Sequence, residues 1–225
     1  MFKCAILVGR NAGRAVQHVE GLRYASVMSR FESWLKDGDV MFDGLKIVEN
    51  EKTAQRIVVA EDDIDENQVL LRLPRDMLIT SDMGKKETRL GKLATRAGLD
   101  ELEGNMYLMM YLLEARSDET STFFPYVDAL PKLEDSNHFP AFWDIKEREE
   151  LLQGSSLLED IDQQIELNRS DYVSLCKEDP EYVSNLVSSS KEFMWAELMV
   201  SSRAFLVNKS NGAQEHVMVP FADML

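Results

Sequence analysis

Phe193-Met-Trp-Ala-Glu-Leu-Met-Val-Ser-Ser-Arg-Ala-Phe205, followed by Glu215-His-Val-Met-Val-Pro-Phe-Ala-Asp-Met-Leu225, reads as helix, turn and strand. Ser189 and Glu192, three places apart, form a capping-box pattern that starts the helix. Phe193, Ala196, Met199 and Val200 then recur at helical spacing, so one face is apolar, and Arg203 continues that face. A cation at the end of an apolar face asks for an anion. Without further information an ion pair tying the helix to a sheet is the simplest use of Arg203. Asn208-Lys-Ser-Asn-Gly212 is turn chemistry. The apolar run Val217 to Phe221 is interrupted by Pro220, which suits a strand near an edge or leaving a sheet. Phe193, Trp195 and Phe205 read as core.

Upstream, Phe31-Glu-Ser-Trp-Leu35 gives an apolar helical face that Lys36-Asp-Gly38 ends. Leu45 to Glu49, Gln55 to Ala60 and Gln68 to Leu73 are short Val/Ile/Leu-rich runs separated by charged and turn residues, which predicts a small antiparallel meander. Pro74 removes a ladder donor, so Leu73 to Thr80 leaves that sheet. From Ser81 to about Ser188 the pattern is helical. Leu102, Met106, Met109 and Leu113 form a stripe read as a buried face, closed by Arg116 and Ser117-Asp118. Tyr126 and Trp143, each near prolines, either pin loops to the core or touch a substrate. Leu158 to Val187, broken at Pro180, is amphipathic and acidic, with Ile161, Ile165, Tyr172, Leu175 and Cys176 facing inward.

Composition bounds the chemistry. The 225 residues carry 25 basic and 40 acidic side chains, a net charge of −15, which repels phosphate backbones and acidic membranes; a basic protein partner fits better, and neither nucleic acid nor membrane is expected. Cys4 and Cys176 are far apart, and His18, His138 and His216 lack ligand spacing, so a reducing compartment and no metal are expected. The apolar run Cys4 to Val8 is too short to span a bilayer.

Phe193-x-Trp-Ala, then Ser202-Arg-Ala-Phe205, then Val219-Pro-x-Ala-Asp-Met-Leu225 resembles the second half of the SET-domain protein methyltransferases of the Rubisco large-subunit type, a group that includes the actin-histidine methyltransferase. The likeness runs back to about Phe31 through Leu73-x-x-x-x-Leu-Ile-Thr80 and Phe123-Phe-Pro-Tyr-Val-Asp-Ala-Leu-Pro131. It implies an α+β fold, with small SET-type antiparallel sheets split by a helical insertion. The expected organisation is an unmatched segment 1–30, the first half of the SET core at 31–80, the insertion at 81–188 and the start of the second half at 189–225.

The resemblance further implies S-adenosylmethionine as cofactor and a protein substrate presenting a lysine, with histidine the second choice. Arg203 is the position touching both cofactor and substrate, with Ser202 beside it. Asp223 falls on the substrate side; its alternative is a cap or turn residue. Ala54, Gln55 and Arg56 fall on the segment entering the second strand, whose backbone passes close to the cofactor in the family, and Ile57 replaces a usual glycine there, tolerable where the backbone stays extended. Val207 stands at a commonly basic position. The family's Asn-His pair and catalytic tyrosine fall beyond Leu225, so little or no methyl transfer is expected of residues 1–225. The competing expectation is a non-catalytic protein-interaction module on a SET remnant. A monomer is expected, in cytoplasm or nucleus, with an organelle left open.

Overall fold

In the computed structural model, residues 27–49, 56–99, 104–209 and 212–224 are described. Helix α1, described over 27–37, buries Phe31 and Leu35 completely, one turn apart. It ends where Val40 N–H returns to Leu35 C=O at 2.9 Å and Asp39 takes φ +55°. A Cβ at Gly38 would lie 2.3 Å from Met77 Sδ, so the flexible end of Met77 would have to move to admit one.

β1 (Leu45–Glu49) and β2 (Arg56–Ala60) pair antiparallel, Leu45 opposite Ala60 and Glu49 opposite Arg56. The expected third strand over 68–73 does not form. That segment makes a single bridge, Met41 with Arg72, through reciprocal bonds of 3.0 and 2.9 Å. The acidic loop before it turns at Asn67, whose φ is +65°, and leaves Val69 exposed, while Pro74 follows at once without a donor. After leaving this region the chain enters a second sheet as β3 (Ile79–Thr80).

That second sheet joins the two ends of the chain across the helical region. β3 pairs with β5 (Gln214–Met218), Ile79 opposite Met218, and β4 (Ala204–Asn208) pairs with the other side of β5, Ala204 opposite Met218. β5 is therefore central, and of the two readings of Pro220, an edge or a strand leaving the sheet, the second holds, since the proline falls just past the strand. Phe205, expected in the core, is 42% exposed, and its neighbour Leu206 is 53% exposed, both on the edge strand β4.

Between the sheet strands run α2 (Ser81–Glu87), α3 (Arg89–Arg96), α4 (Asn105–Arg116), α5 (Phe124–Ala129), α6 (Ile145–Leu151), α7 (Ser156–Glu178), α8 (Pro180–Leu186) and α9 (Ser190–Arg203). α4 is the hub. It packs on α2, α3, α9 and β5 and buries Met106, Leu108, Met109, Met110, Leu112 and Leu113, so it is apolar nearly all round, as a helix with neighbours on most sides must be. Leu102 of the expected stripe lies outside the described residues. α2 approaches α4 through Gly84, where a Cβ would come 1.9 Å from the Tyr107 carbonyl oxygen. On α7 the expected inward positions hold, with Leu175 fully buried and Ile161, Ile165, Tyr172 and Cys176 partly so.

Candidate active site

α9 delivers the residues around which the site is built. Ser189 Oγ accepts from Glu192 N–H at its start, while the Glu192 carboxylate accepts from Ser188 N–H at 2.7 Å and from Arg116 at 2.8 Å. Phe193, Ala196, Met199 and Val200 are buried, and Trp195 Nε1 donates to the Pro131 carbonyl at 2.9 Å, fixing the helix's rotation against α5. The helix stops at Arg203 because Ala204 is already extended, at φ −71° and ψ 141°. Carbonyls of the last turn are thereby left without a continuing helix to accept from.

At that terminus Arg203 Nη1 donates to Ser202 Oγ at 2.7 Å, and Ser202 Oγ donates to the Leu198 carbonyl at 2.6 Å. Arg203 Nε stands 3.7 Å from Asp223 Oδ2, the carboxylate being fully buried and the arginine 21% exposed. The same oxygen accepts a 2.8 Å hydrogen bond from the hydroxyl of Tyr126, itself fully buried. Burial pushes the Tyr126 phenol well above its ordinary range; the Asp223 charge and the hydrogen bond to it add to the effect, against a smaller opposing pull from Arg203. Tyr126 therefore stays a neutral donor. A buried carboxylate facing a guanidinium and a hydroxyl is compensated on two sides.

Asp223 reaches this place by a strained turn. Phe221 has φ +73° although fully buried, and its ring lies 4.9 Å from that of Phe42. A left-handed conformation at an aromatic residue costs about 1–2 kcal/mol, and the packing of the ring holds it there. The chain then closes a short turn, Ala222–Met224, with Asp223 N–H on the Val219 carbonyl at 3.2 Å.

The fold thus brings together Arg203, Ser202 and Asp223. β2 packs against the Ala222–Met224 turn, so the strand that Arg56 opens adjoins the turn that carries Asp223. Ala54 and Gln55 lie outside the described residues. Ile57, at the position where the family usually has glycine, is extended within β2, opposite Val48, and half exposed. Val207 sits on β4 opposite Glu215. Tyr126 is the participant whose role the sequence left open; a tyrosine deep in an apolar segment needs a partner for its hydroxyl, and that requirement was the available signal. Trp143 pins its own loop, Nε1 donating to the Asn137 carbonyl at 2.7 Å. His216 Nδ1 meets Asn105 Oδ1 at 2.5 Å. Among the described residues no three His, Cys, Asp or Glu side chains are grouped to hold a metal, and no helix is long and apolar enough to cross a membrane. A cleft of about 300 Å³ lined by Glu87, Tyr111, Glu114, Asp118 and Tyr182 lies elsewhere and includes none of the cluster.

Two small antiparallel sheets, joined across a helical region and with α9 running into the second, define the SET fold. The solved structure "Crystal structure of the SET domain of LSMT bound to Lysine and AdoHcy" superposes with a TM-score of 0.71 at 24% identity, covering 89% of this chain and 43% of that one. No family model matches the chain. It is 25% identical over 161 residues to N-lysine methyltransferase setd6 of Xenopus laevis, covering 71% of this chain and 35% of the relative. It is 28% identical over 199 residues to the chloroplastic [fructose-bisphosphate aldolase]-lysine N-methyltransferase of Arabidopsis thaliana, covering 87% and 38%. The chain is similar to SET-domain protein methyltransferases of the setd6 and Rubisco large-subunit kind, and spans about a third of the length of these relatives.

Proposed function

We propose that the chain forms part of an S-adenosylmethionine-dependent protein-lysine N-methyltransferase and that Arg203, Ser202 and Asp223 build one side of the site of transfer. The buried Tyr126, Asp223 and Arg203 cluster at the end of α9 carries this reading. The cofactor, when bound, supplies an electrophilic methyl group that a neutral amine displaces directly. What the protein must add is orientation and exclusion of water.

Arg203 suits the cofactor in two respects. Its guanidinium keeps some exposure with which to face a carboxylate, and Ile57 meets the cofactor strand with extended backbone, so its Cβ demands no left-handed conformation. Tyr126 fixes the Asp223 carboxylate, Asp223 holds Arg203 on the Nε side, and Ser202 braces Nη1. Held in this way, the carbonyls ending α9 become preorganised acceptors for the hydrogens of a substrate amine. Asp223 is fully buried, so its side chain acts through Arg203, as a positioning residue. Lysine is the proposed target ahead of histidine, because the relatives above are lysine methyltransferases. We place the protein as a monomer in cytoplasm or nucleus, with an organelle left open by the chloroplastic relative.

Calorimetric titration of residues 1–225 with S-adenosylhomocysteine tests the reading. Saturable binding, weakened about tenfold or more by Arg203→Ala, is expected, since a guanidinium to carboxylate pair contributes on that scale. A folded sample that binds nothing overturns it. That outcome would favour the second reading, a protein-interaction module, which the exposed Ile145, Leu151, Leu157, Leu167 and Val173 of α6 and α7 support.

A further inference from the structure

We propose that the basic groove along α2 and α3 is a docking surface for a short Asp/Glu-rich segment of a protein partner. Lys85, Lys86, Arg89, Lys92, Thr95 and Arg96 line one shallow groove of about 530 Å³. Residues 85–96 hold five cations against one carboxylate, Glu87, and with the ion-paired Asp82, Asp179 and Glu178 counted the groove keeps 5 − 4 = +1 in a chain whose net charge is −15. The helices are pressed together by Gly91, whose Cβ would lie 1.9 Å from the Gly84 carbonyl oxygen, and by Thr88, whose Oγ1 donates to that carbonyl at 2.5 Å. Leu90, Leu93 and Ala94 are buried, so the charged side chains have only the outer face to occupy.

Structural uses account for part of this charge. Arg89 pairs with Asp179 and lies 4.1 Å over the Tyr182 ring, Arg96 stands 3.7 Å from Glu178, and Lys86 is 2.9 Å from Asp82. Lys85 faces only the Tyr107 ring, at 5.0 Å, and neither it nor Lys92 has a carboxylate within ion-pair distance among the described residues. Two exposed lysines beside two guanidiniums are thus left for an external anion. Arg89, Lys92 and Arg96, at spacings of 3 and 4, run along one face of α3 for about 10 Å, and Lys85 lengthens the row. Three to four residues of extended chain, at about 3.3 Å each, match that length. The reach of the surrounding acidity favours a peptide over a nucleic acid. Screening confines exposed charge to about 8 Å at physiological salt, so a short anion feels chiefly the unpaired Lys85 and Lys92, whereas a long polyanion extends over the acidic remainder.

Fluorescence anisotropy of labelled hexaglutamate, with hexaglutamine and a thymidylate strand of about 30 nucleotides as comparisons, reads this directly. Expected is saturable binding of hexaglutamate alone, weakening with salt. Lys85→Gln with Lys92→Gln should raise its Kd about tenfold, and Lys146→Gln with Lys191→Gln, exposed elsewhere, should leave it within about twofold. All four positions are exposed, so circular dichroism should show both variants folded. Absence of saturable hexaglutamate binding, equal loss in both variants, or the long thymidylate strand binding at least as tightly would each overturn the proposal.

Discussion

Replacing Tyr126 with phenylalanine removes one oxygen and keeps the ring. The ring packs 6.1 Å from that of Phe31 and is fully buried, so no large cavity opens and the loss is that of the hydroxyl. That hydroxyl gives Asp223 Oδ2 a 2.8 Å hydrogen bond in a site without solvent, and Arg203 Nε, at 3.7 Å, is beyond hydrogen-bonding distance of the same oxygen. A hydrogen bond to a buried charge is worth about 1.5–3 kcal/mol, so Tyr126→Phe should destabilise by about 2 kcal/mol. For a chain of this size that lowers Tm by about 4–8 °C. Denaturant unfolding followed by circular dichroism would measure it, and a cycle with Asp223→Asn would isolate the pair, with an expected coupling of about 1–2 kcal/mol. Because Tyr126 ionises well above its ordinary 10.0 when folded, the unfolded chain loses this proton first. Stability from this group is therefore complete below pH 10 and falls as pH rises beyond it, and Tyr126→Phe should flatten that alkaline limb. Strictly additive single variants, or an alkaline limb unchanged in Tyr126→Phe, would refute the linkage of Tyr126 to Asp223.

Two further outcomes are expected. Gly84→Ala should destabilise by about 3 kcal/mol, measured by the same unfolding, because its Cβ would meet the Tyr107 backbone at 1.9 Å and α2 must move away from α4. Glu192 is the acid counterpart of Tyr126. Burial tends to raise its pKa, but the Ser188 N–H and Arg116 outweigh it and hold the carboxyl below its ordinary 4.5. Its contribution is present above 4.5 and lost as pH falls through the lower folded value, so Glu192→Gln should flatten the acid limb of stability.

The elements legible in the sequence are those whose evidence is local. α9 announces itself through Ser189, Glu192 and a face at 3.6-residue spacing, and β1 and β2 through branched residues between turns. β4 was hidden because Ala204-Phe-Leu-Val207 prolongs an apolar run that a helix could also use. A Phe-Leu-Val run directly before Asn208-Lys-Ser-Asn-Gly212 is also a hairpin signal, and giving it more weight would have placed Phe205 in a strand. The segment 68–73 failed in the opposite sense. Its composition suits a strand, but strand formation needs a partner, and the chain offers it one bridge.

The candidate site was legible residue by residue and not as an arrangement. Arg203 could be recognised as a cation needing an anion, and Asp223 as a carboxylate after a strand, yet what joins them is a tyrosine 97 residues before Asp223 and a phenylalanine in a left-handed conformation. Neither signal is local. Phe221 is buried in that conformation with the ring of Phe42, which precedes β1, packed 4.9 Å from its own. The turn that aims Asp223 at Arg203 is thus maintained by packing from the opposite end of the chain, and β2 lies against the same turn. A change in the first sheet should therefore be felt at Arg203 through Phe221, which makes the cofactor strand and the substrate side of the proposed site parts of one mechanical unit.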